Sequence, residues 1–536
     1  MLYDGKVWIG TDQDTNERVS ILPQMANRHG LIAGATGTGK TITLKVLAES
    51  LSEAGVPVFL SDVKGDLAGM VQPGADSPDM QKRREAFGLD AAGFRCQSFP
   101  TVFWDIEGIR GLPLRTTISE MGPTLLSRLL EISDLQADIL TIIFRIADEN
   151  KLLLLDTKDL RAMLQHVAEN TKEYSSEYGN MSAQSINAIL RAVVALETAG
   201  GDRFFGEPAV DIHDFFRTDA EGRGTINILD AASTIRNPLI YSTFMLYMMS
   251  ELFEQLPEVG DPDKPKMVFF FDEAHLLFDG APKALLNKIE QVVKLVRSKG
   301  VGIFFITQNP SDIPDSILAQ LGNKVQHALR AYTPAEEKKI RSAAESFRAN
   351  PAFDTEKVLM NLGTGEALVS VLDAKGCPEM ARRCRILPPE SRMGAIDDIA
   401  RKRVIGASDL SRKYDESVDR DSAYEFLKRK TALTEEQLQK EKDAAAQAKQ
   451  DAKTQAAEEK EAAKAQEKAD REAEKEKKER MTAIKGVGRS TAGTLGREVG
   501  YAVGKSVFGN SFGRRIGGNI GAALGRGILN TLFGGR

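Results

Sequence analysis

The stretch Gly34-Ala35-Thr36-Gly37-Thr38-Gly39-Lys40-Thr41 limits what this chain can fold into more than any other. It fits the pattern G-x-x-x-x-G-K-[ST], and its surroundings agree. HGLIAG before it reads as a strand, ITLKVLAESLSEAG after it as a helix, and VPVFLSD as the next strand. That order is a βαβ unit, whose crossover sets the two strands parallel in one sheet. The fold class expected is therefore α/β with a mostly parallel sheet. Glycines are needed because the backbone must wrap phosphates closely, aiming its N–H groups and the positive helix end at them. Gly34, Ala35, Thr36, Gly37, Thr38, Gly39, Lys40, Thr41 and Ile42 form the predicted nucleotide contact. Within it, Lys40 reaches the β and γ phosphates and the Thr41 hydroxyl ligates Mg²⁺. ATP and Mg²⁺ are the cofactors this implies.

A phosphate loop of this kind needs acids to complete it. MVFFFDEAH, residues 267 to 275, is an apolar strand ending in two of them. Asp272 at the tip suits Mg²⁺, directly or through water, and Glu273 is placed to polarise the attacking water as a general base. Acids at a strand end also arise as helix caps, but beside a phosphate loop the catalytic reading is the stronger. IFFITQNP, residues 303 to 310, is another apolar strand, and Gln308 at its tip would sense the γ-phosphate or orient the water. A polar strand terminus without a role is the plainer alternative. SDVKGD closes the second strand on the edge where open α/β sheets bind ligands. Asp62, Lys64 and Asp66 there line the site or a subunit contact, or form only a charged turn. Charge developing on the γ-phosphate calls for a further cation, often an arginine from a neighbouring subunit. Arg297 and Arg330 are the candidates, and each reads equally as a surface arginine.

The rest of the chain falls into segments. Residues 1–25 suggest a short N-terminal β element in front of the main domain. Residues 26–114 and 221–395 read as the two parts of the ATPase core, separated by a helical insertion at 115–220 with apolar residues at spacings of three and four. TINILD, MVFFFDEAH, GIFFITQNP, VQHALRAY and ALVSVLD are short apolar runs of the kind that form buried parallel strands. A helical extension follows at 396–433. Residues 434–482 are mostly Ala, Glu, Lys, Gln and Asp, a composition that forms a solvated charged helix or a disordered arm but buries no core. Residues 483–536 are Gly-rich and basic, with glycine at every fourth position from Gly496 to Gly504 and again from Gly509 to Gly525.

Bulk charge leaves the partner open. The 71 Lys and Arg against 76 Asp and Glu give a net charge of -5, which argues against a chain that coats nucleic acid but allows a local basic patch. Three irregularly spaced cysteines suit a reducing compartment rather than a disulfide framework. With no signal-like start and no run of about twenty apolar residues, a cytoplasmic protein is expected.

With these residues in view, the chain resembles the bacterial HerA-like helicase family, in the HerA/FtsK branch of P-loop ATPases. The resemblance spans roughly residues 5–430 and rests on RHGLIAGATGTGKT, FLSDVKGDLAG, FFGEP, FFFDEAHLLF and VRSKGVGIFFITQNPSDIP. It implies a RecA-like core with a glutamine after the fourth core strand, matched by Gln308, and a homohexameric ring. The stretch before the phosphate-loop strand is too short for the N-terminal β-barrel of archaeal HerA, so docking to a nuclease through such a barrel is not implied. Two readings of function follow. One is a ring-forming DNA translocase or helicase-like motor. The other is an ATP-driven assembly or membrane-associated factor, whose small-residue tail packs helices while Arg489, Arg497, Lys505, Arg514, Arg515 and Arg526 meet anionic lipid. A switch that binds ATP without hydrolysing it fits poorly with Glu273 in place.

Overall fold

Short apolar runs separated by helices assemble here into one large sheet. The computed structural model describes residues 1–232, 238–280 and 283–484. In chain order the first elements are β1 (Leu2–Tyr3), β2 (Lys6–Asp12), β3 (Arg18–Ile21), β4 (Gly30–Ala33), α1 (Lys40–Glu53), β5 (Val58–Asp62), α2 (Pro78–Phe87), β6 (Thr101–Asp105) and β7 (Leu112–Pro113). The chain then leaves the sheet for α3 (Ile118–Leu129), α4 (Asp134–Glu149), α5 (Thr157–Glu169), α6 (Thr171–Tyr178) and α7 (Ala183–Leu196). It returns as β8 (Ile226–Asp230), β9 (Met267–Phe271), β10 (Val301–Thr307), β11 (Asn323–His327), β12 (Glu366–Ser370) and β13 (Arg382–Ile386).

The strand order is β1-β2-β13-β12-β11-β4-β10-β9-β5-β8-β6-β7, with β3 paired to β2. From β11 through β7 every pairing is parallel, whereas β12, β13, β2, β1 and β3 join antiparallel. This is the α/β, mostly parallel P-loop architecture expected. Two details differ from the sequence reading. ALVSVLD, expected to be parallel, pairs antiparallel with β11 through Val325 and Val369. Burial on both faces explains why composition did not reveal its direction, since any doubly covered strand reads as an apolar run. The N-terminal β element does not stand in front of the domain; β2 continues the main sheet through Cys384 opposite Asp12.

Period-two alternation divides each central strand between two cores. Phe59, Phe269, Phe271, Ile303 and Phe305 belong to one core, which extends to Leu125, Leu140, Ile143 and Leu160 of the insertion helices. Leu60, Val268, Phe270, Phe304 and Ile306 face α1, packing with Leu44, Leu47 and Leu51. The insertion helices begin where side chains can satisfy their free N–H groups: Thr117 with Glu120 and Ser133 with Gln136 form capping boxes, and Asp156 accepts from Lys158 and Asp159.

Contacts divide the chain into a unit at Met1–Glu435 and another at Glu436–Arg536. In the first, short helices at Asp398–Gly406 and Ser411–Tyr414 follow the sheet, and Tyr414 meets Trp104 edge-on at 5.3 Å. The second carries most of a single helix, Ala423–Ile484, whose side chains from 439 to 477 are exposed. The glycine- and arginine-rich tail, with its proposed lipid contact, lies outside the described residues. Among the described residues no helix is long and apolar enough to cross a membrane.

Candidate ATPase site

Register brings the candidate residues together. Ala33 at the end of β4 pairs with Thr307 of β10, and Phe305 of β10 pairs with Phe271 of β9. The glycine loop, Asp272, Glu273 and Gln308 therefore leave neighbouring strands along one edge, although more than two hundred residues separate the first from the rest.

The loop is held in a conformation that only glycine accepts. Gly34, Gly37 and Gly39 have φ of 152°, 78° and 119°, and a Cβ on Gly34 would lie 2.5 Å from the Cβ of His327. The Ala35 N–H donates to the Ala328 carbonyl (2.9 Å), and the Thr38 hydroxyl closes the turn onto the Ala35 carbonyl (2.7 Å). Lys40 and Thr41 open α1, so their N–H groups have no carbonyl one turn earlier and point out of the helix end. The Lys40 ammonium folds back onto the carbonyls of Gly34 (2.6 Å) and Ala35 (3.1 Å). Burial, then the nearby Lys64, lowers its pKa, while Asp272 and Glu273 oppose that shift. Lys40 thus lies within electrostatic range of both acids.

Burial, with Glu273 beside it, raises the Asp272 pKa to about 6, against the pull of Lys64 and Lys40. Its Oδ1 accepts from the Glu273 N–H (2.9 Å). Glu273 itself sits at φ 48°, an uncommon conformation for a residue with a side chain, and the Ala274 N–H anchors the turn to the Ile306 carbonyl (2.9 Å). The Glu273 Oε2 is buried without a hydrogen-bond partner, and the His275 Nδ1 lies 3.4 Å from it. A hydroxyl and a carboxylate, Thr41 and Asp272, are the hard oxygen donors that Mg²⁺ prefers. Among the described residues no three His, Cys, Asp or Glu side chains form a metal cluster. Two oxygens from the protein suit an ion that keeps waters and phosphate oxygens around it.

The other candidates fall in different places. Gln308 is exposed at the tip of β10. Asp62 accepts from the N–H groups of Gly65 (2.7 Å), Leu67 (3.0 Å) and Ala68 (3.2 Å), so it fixes the charged turn, and burial with Asp66 raises its pKa to about 6. Arg297 precedes β10 at the opposite end of the sheet and bonds to Asp261 (3.1 Å). Arg330 lies on the loop's side of the sheet but caps the helix Thr355–Asn361, donating to the carbonyls of Met360 (2.6 Å) and Leu362 (3.2 Å). Neither arginine joins the cluster within one subunit.

Two further groups escape sequence reasoning. The Tyr241 hydroxyl donates to the Asp272 carbonyl (2.9 Å) and pairs with the Ser61 hydroxyl (2.8 Å), tying the tips of β9 and β5 together. His327 is buried against the loop, its Nδ1 bonded to the Glu366 carbonyl (2.9 Å) and its Nε2 to the Thr43 hydroxyl (2.8 Å). These partners place the proton on Nδ1, and burial lowers its pKa to about 4, so the ring stays neutral. A histidine inside VQHALR was the one available signal for it.

The family profile described as Helicase HerA-like C-terminal matches residues 8–517. The DNA double-strand break repair helicase HerA of Sulfolobus acidocaldarius is 21% identical over 373 residues, which cover 68% of this chain and 66% of that protein. The protein of the same name from Sulfurisphaera tokodaii is 22% identical over 378 residues, covering 67% and 65%. The chain thus matches just under two thirds of the length of these relatives. Among solved structures, VirB4 of Thermoanaerobacter pseudethanolicus is similar with a TM-score of 0.48 at 16% identity, over 72% of this chain and 96% of that one. The plasmid coupling protein TrwB in complex with ADP and Mg²⁺ is similar with a TM-score of 0.47 at 15% identity, over 69% and 87%.

Proposed function

The chain belongs to the HerA-like helicase C-terminal family, and on that premise we propose that it is a Mg²⁺-dependent ATP hydrolase whose turnover, in a homohexameric ring in the cytoplasm, drives movement along DNA. The observation that supports the ATPase reading is the strand register, which sets the glycine loop that opens onto Lys40 beside the ends of the strands followed by Asp272, Glu273 and Gln308. The loop's N–H groups and Lys40 would hold the triphosphate; Thr41 and Asp272 would hold Mg²⁺, whose charge would offset that of the phosphate oxygens. Glu273 takes a proton from the attacking water, and its unpartnered Oε2 is free to receive it. Gln308, from the adjacent strand tip, orients that water. Arg330, on the same side of the sheet, is the better placed of the two arginines to serve a neighbouring subunit. The DNA reading is supported by family kinship and by the names of the HerA relatives.

Turnover measurements test both levels. Glu273→Gln should lower ATP turnover by about 10²–10⁴-fold, the scale of a lost general base, while leaving ATP bound. Lys40→Ala should weaken binding itself. Wild-type turnover in the Glu273→Gln protein would remove the catalytic assignment. DNA should raise the ATPase rate in a salt-dependent way. A rate indifferent to DNA but raised by anionic liposomes, and dependent on residues 485–536, would move the protein to the membrane-associated class.

A further inference from the structure

A proton that Glu273 takes from water has to leave it before the next turnover, and burial limits the ways out. The Glu273 side chain is 17% exposed, and its Oε2 is shut off from solvent without a hydrogen-bond partner. Polar groups nearby are engaged elsewhere: the Lys40 ammonium donates to the carbonyls of Gly34 and Ala35, and the Tyr241 hydroxyl donates to the Asp272 carbonyl. The His275 ring is different, with its Nδ1 3.4 Å from Oε2. No step of the hydrolysis above involves it.

The fold gives this ring a fixed root and an open side. Two bonds hold the backbone around it, from the Ala274 N–H to the Ile306 carbonyl (2.9 Å) and from the Leu276 N–H to the Glu273 carbonyl (3.0 Å). The same turn keeps Glu273 at φ 48°. His275 then opens the short helix His275–Phe278, and its side chain is 36% exposed. It lines a cavity of about 540 Å³ with Phe278, Asp279, Gln308, Ser311 and Asp312. A recess of that size, edged by polar side chains, has room for several waters. The ring thus stands between a buried oxygen and water.

The contact is close without being a bond. Oε2 has no partner although Nδ1 is 3.4 Å away, so the lone pairs of the oxygen stay open to an incoming proton. Once it carries that proton, Oε2 becomes a donor, and the Nδ1 lone pair of a ring protonated on Nε2 is placed to accept. An approach of about half an ångström brings the two atoms to hydrogen-bond distance.

We propose that His275 carries the proton from Glu273 to solvent. The Oε2–H bond breaks as an Nδ1–H bond forms, leaving Glu273 a carboxylate and His275 an imidazolium. The ring then turns into the cavity, where the Nδ1–H bond breaks and water takes the proton, which restores both side chains. Imidazole suits such a shuttle because one ring nitrogen accepts while the other keeps its own proton. The inference rests on the ATPase reading and adds the group that acts after the base.

The test is steady-state ATP turnover beside calorimetric titration with Mg²⁺·ATP, both on the full-length protein. His275→Ala should lower kcat about tenfold or more and leave the Kd for Mg²⁺·ATP within about twofold. The space it vacates opens on the cavity, so imidazole added to the solution should restore turnover, whereas pyrazole, a ring of the same size but a far weaker base, should not. His275→Asn, nearer in bulk and not a base, should show the same split between kcat and Kd, and it guards against a folding defect in the first variant. Turnover within about twofold of the unmodified protein in both variants would overturn the relay. So would a loss that imidazole does not restore, equal rescue by pyrazole, or a Kd that weakens as far as kcat falls. Absence of turnover in the unmodified protein would instead overturn the ATPase reading beneath it.

Discussion

The Tyr241 hydroxyl, between the tips of β5 and β9, bonds to Ser61 on one and to the backbone carbonyl of Asp272 on the other. Removing it strands a buried hydroxyl and a buried carbonyl, a loss of about 1–3 kcal/mol. Tyr241→Phe keeps the ring and its packing, so a modest fall in melting temperature is expected, with kcat reduced more than ATP affinity. Equal kcat in variant and wild type would show that the bridge supports the fold alone. The glycine loop and the paired acids were legible in the sequence because phosphate and Mg²⁺ chemistry demands those residue types in that order. Tyr241 was not, since PLIYSTFMLYMMSELF reads as an apolar helix and only the sheet order carries its hydroxyl to the site. His327 was hidden in the same way, by a partner on α1 that lies 284 residues away.

Elements meet at the opposite edge of the sheet around another histidine. His29 precedes β4; its Nε2–H donates to the Val293 carbonyl (2.8 Å) and its Nδ1 accepts from the Ile303 N–H (3.0 Å). Its backbone carbonyl accepts from the Asn323 N–H (3.1 Å), so β4, β10, β11 and the helix Lys283–Val296 meet at this one residue, with the ring joining β10 to the helix. Burial lowers its pKa to about 4, from about 6.5 when unfolded. The unfolded chain therefore takes up this proton first as pH falls. The contribution is complete above pH 6.5 and shrinks by about 1.4 kcal/mol per pH unit down to about pH 4. Asp62 and Asp272, both raised to about 6, act in the opposite sense and cancel when one variant is compared with wild type. The destabilisation caused by His29→Gln, read as the difference in unfolding free energy from wild type, should therefore shrink by about 1.4 kcal/mol for each unit that pH falls between 6.5 and 4. Parallel profiles would contradict a neutral buried ring. Sequence pattern located these strands but not the direction of β12 or the place of β2, because pairing partners are chosen by the whole sheet rather than by any one run.

At the scale of the molecule, the packed unit ends before the charged segment begins. The last buried apolar side chain among the described residues is Leu427, and the side chains from 439 to 477 are exposed. What holds that stretch helical is local: alanine-rich propensity and spaced pairs such as Glu436–Lys440 (2.8 Å) and Glu467–Arg471 (3.1 Å), each worth about 0.2–0.5 kcal/mol and screened by salt. A core built from apolar burial and a helix built from propensity should melt independently. Truncation after Glu435 is therefore expected to leave the main thermal transition within about 2 °C and to preserve Mg²⁺·ATP uptake. The same cut should remove a broad, non-cooperative part of the helical circular dichroism signal, which in the full chain weakens as salt is added. A truncated protein that melts far lower would mean that the charged helix, for all its exposed surface, supplies cohesion to the ATPase unit that local propensity does not explain.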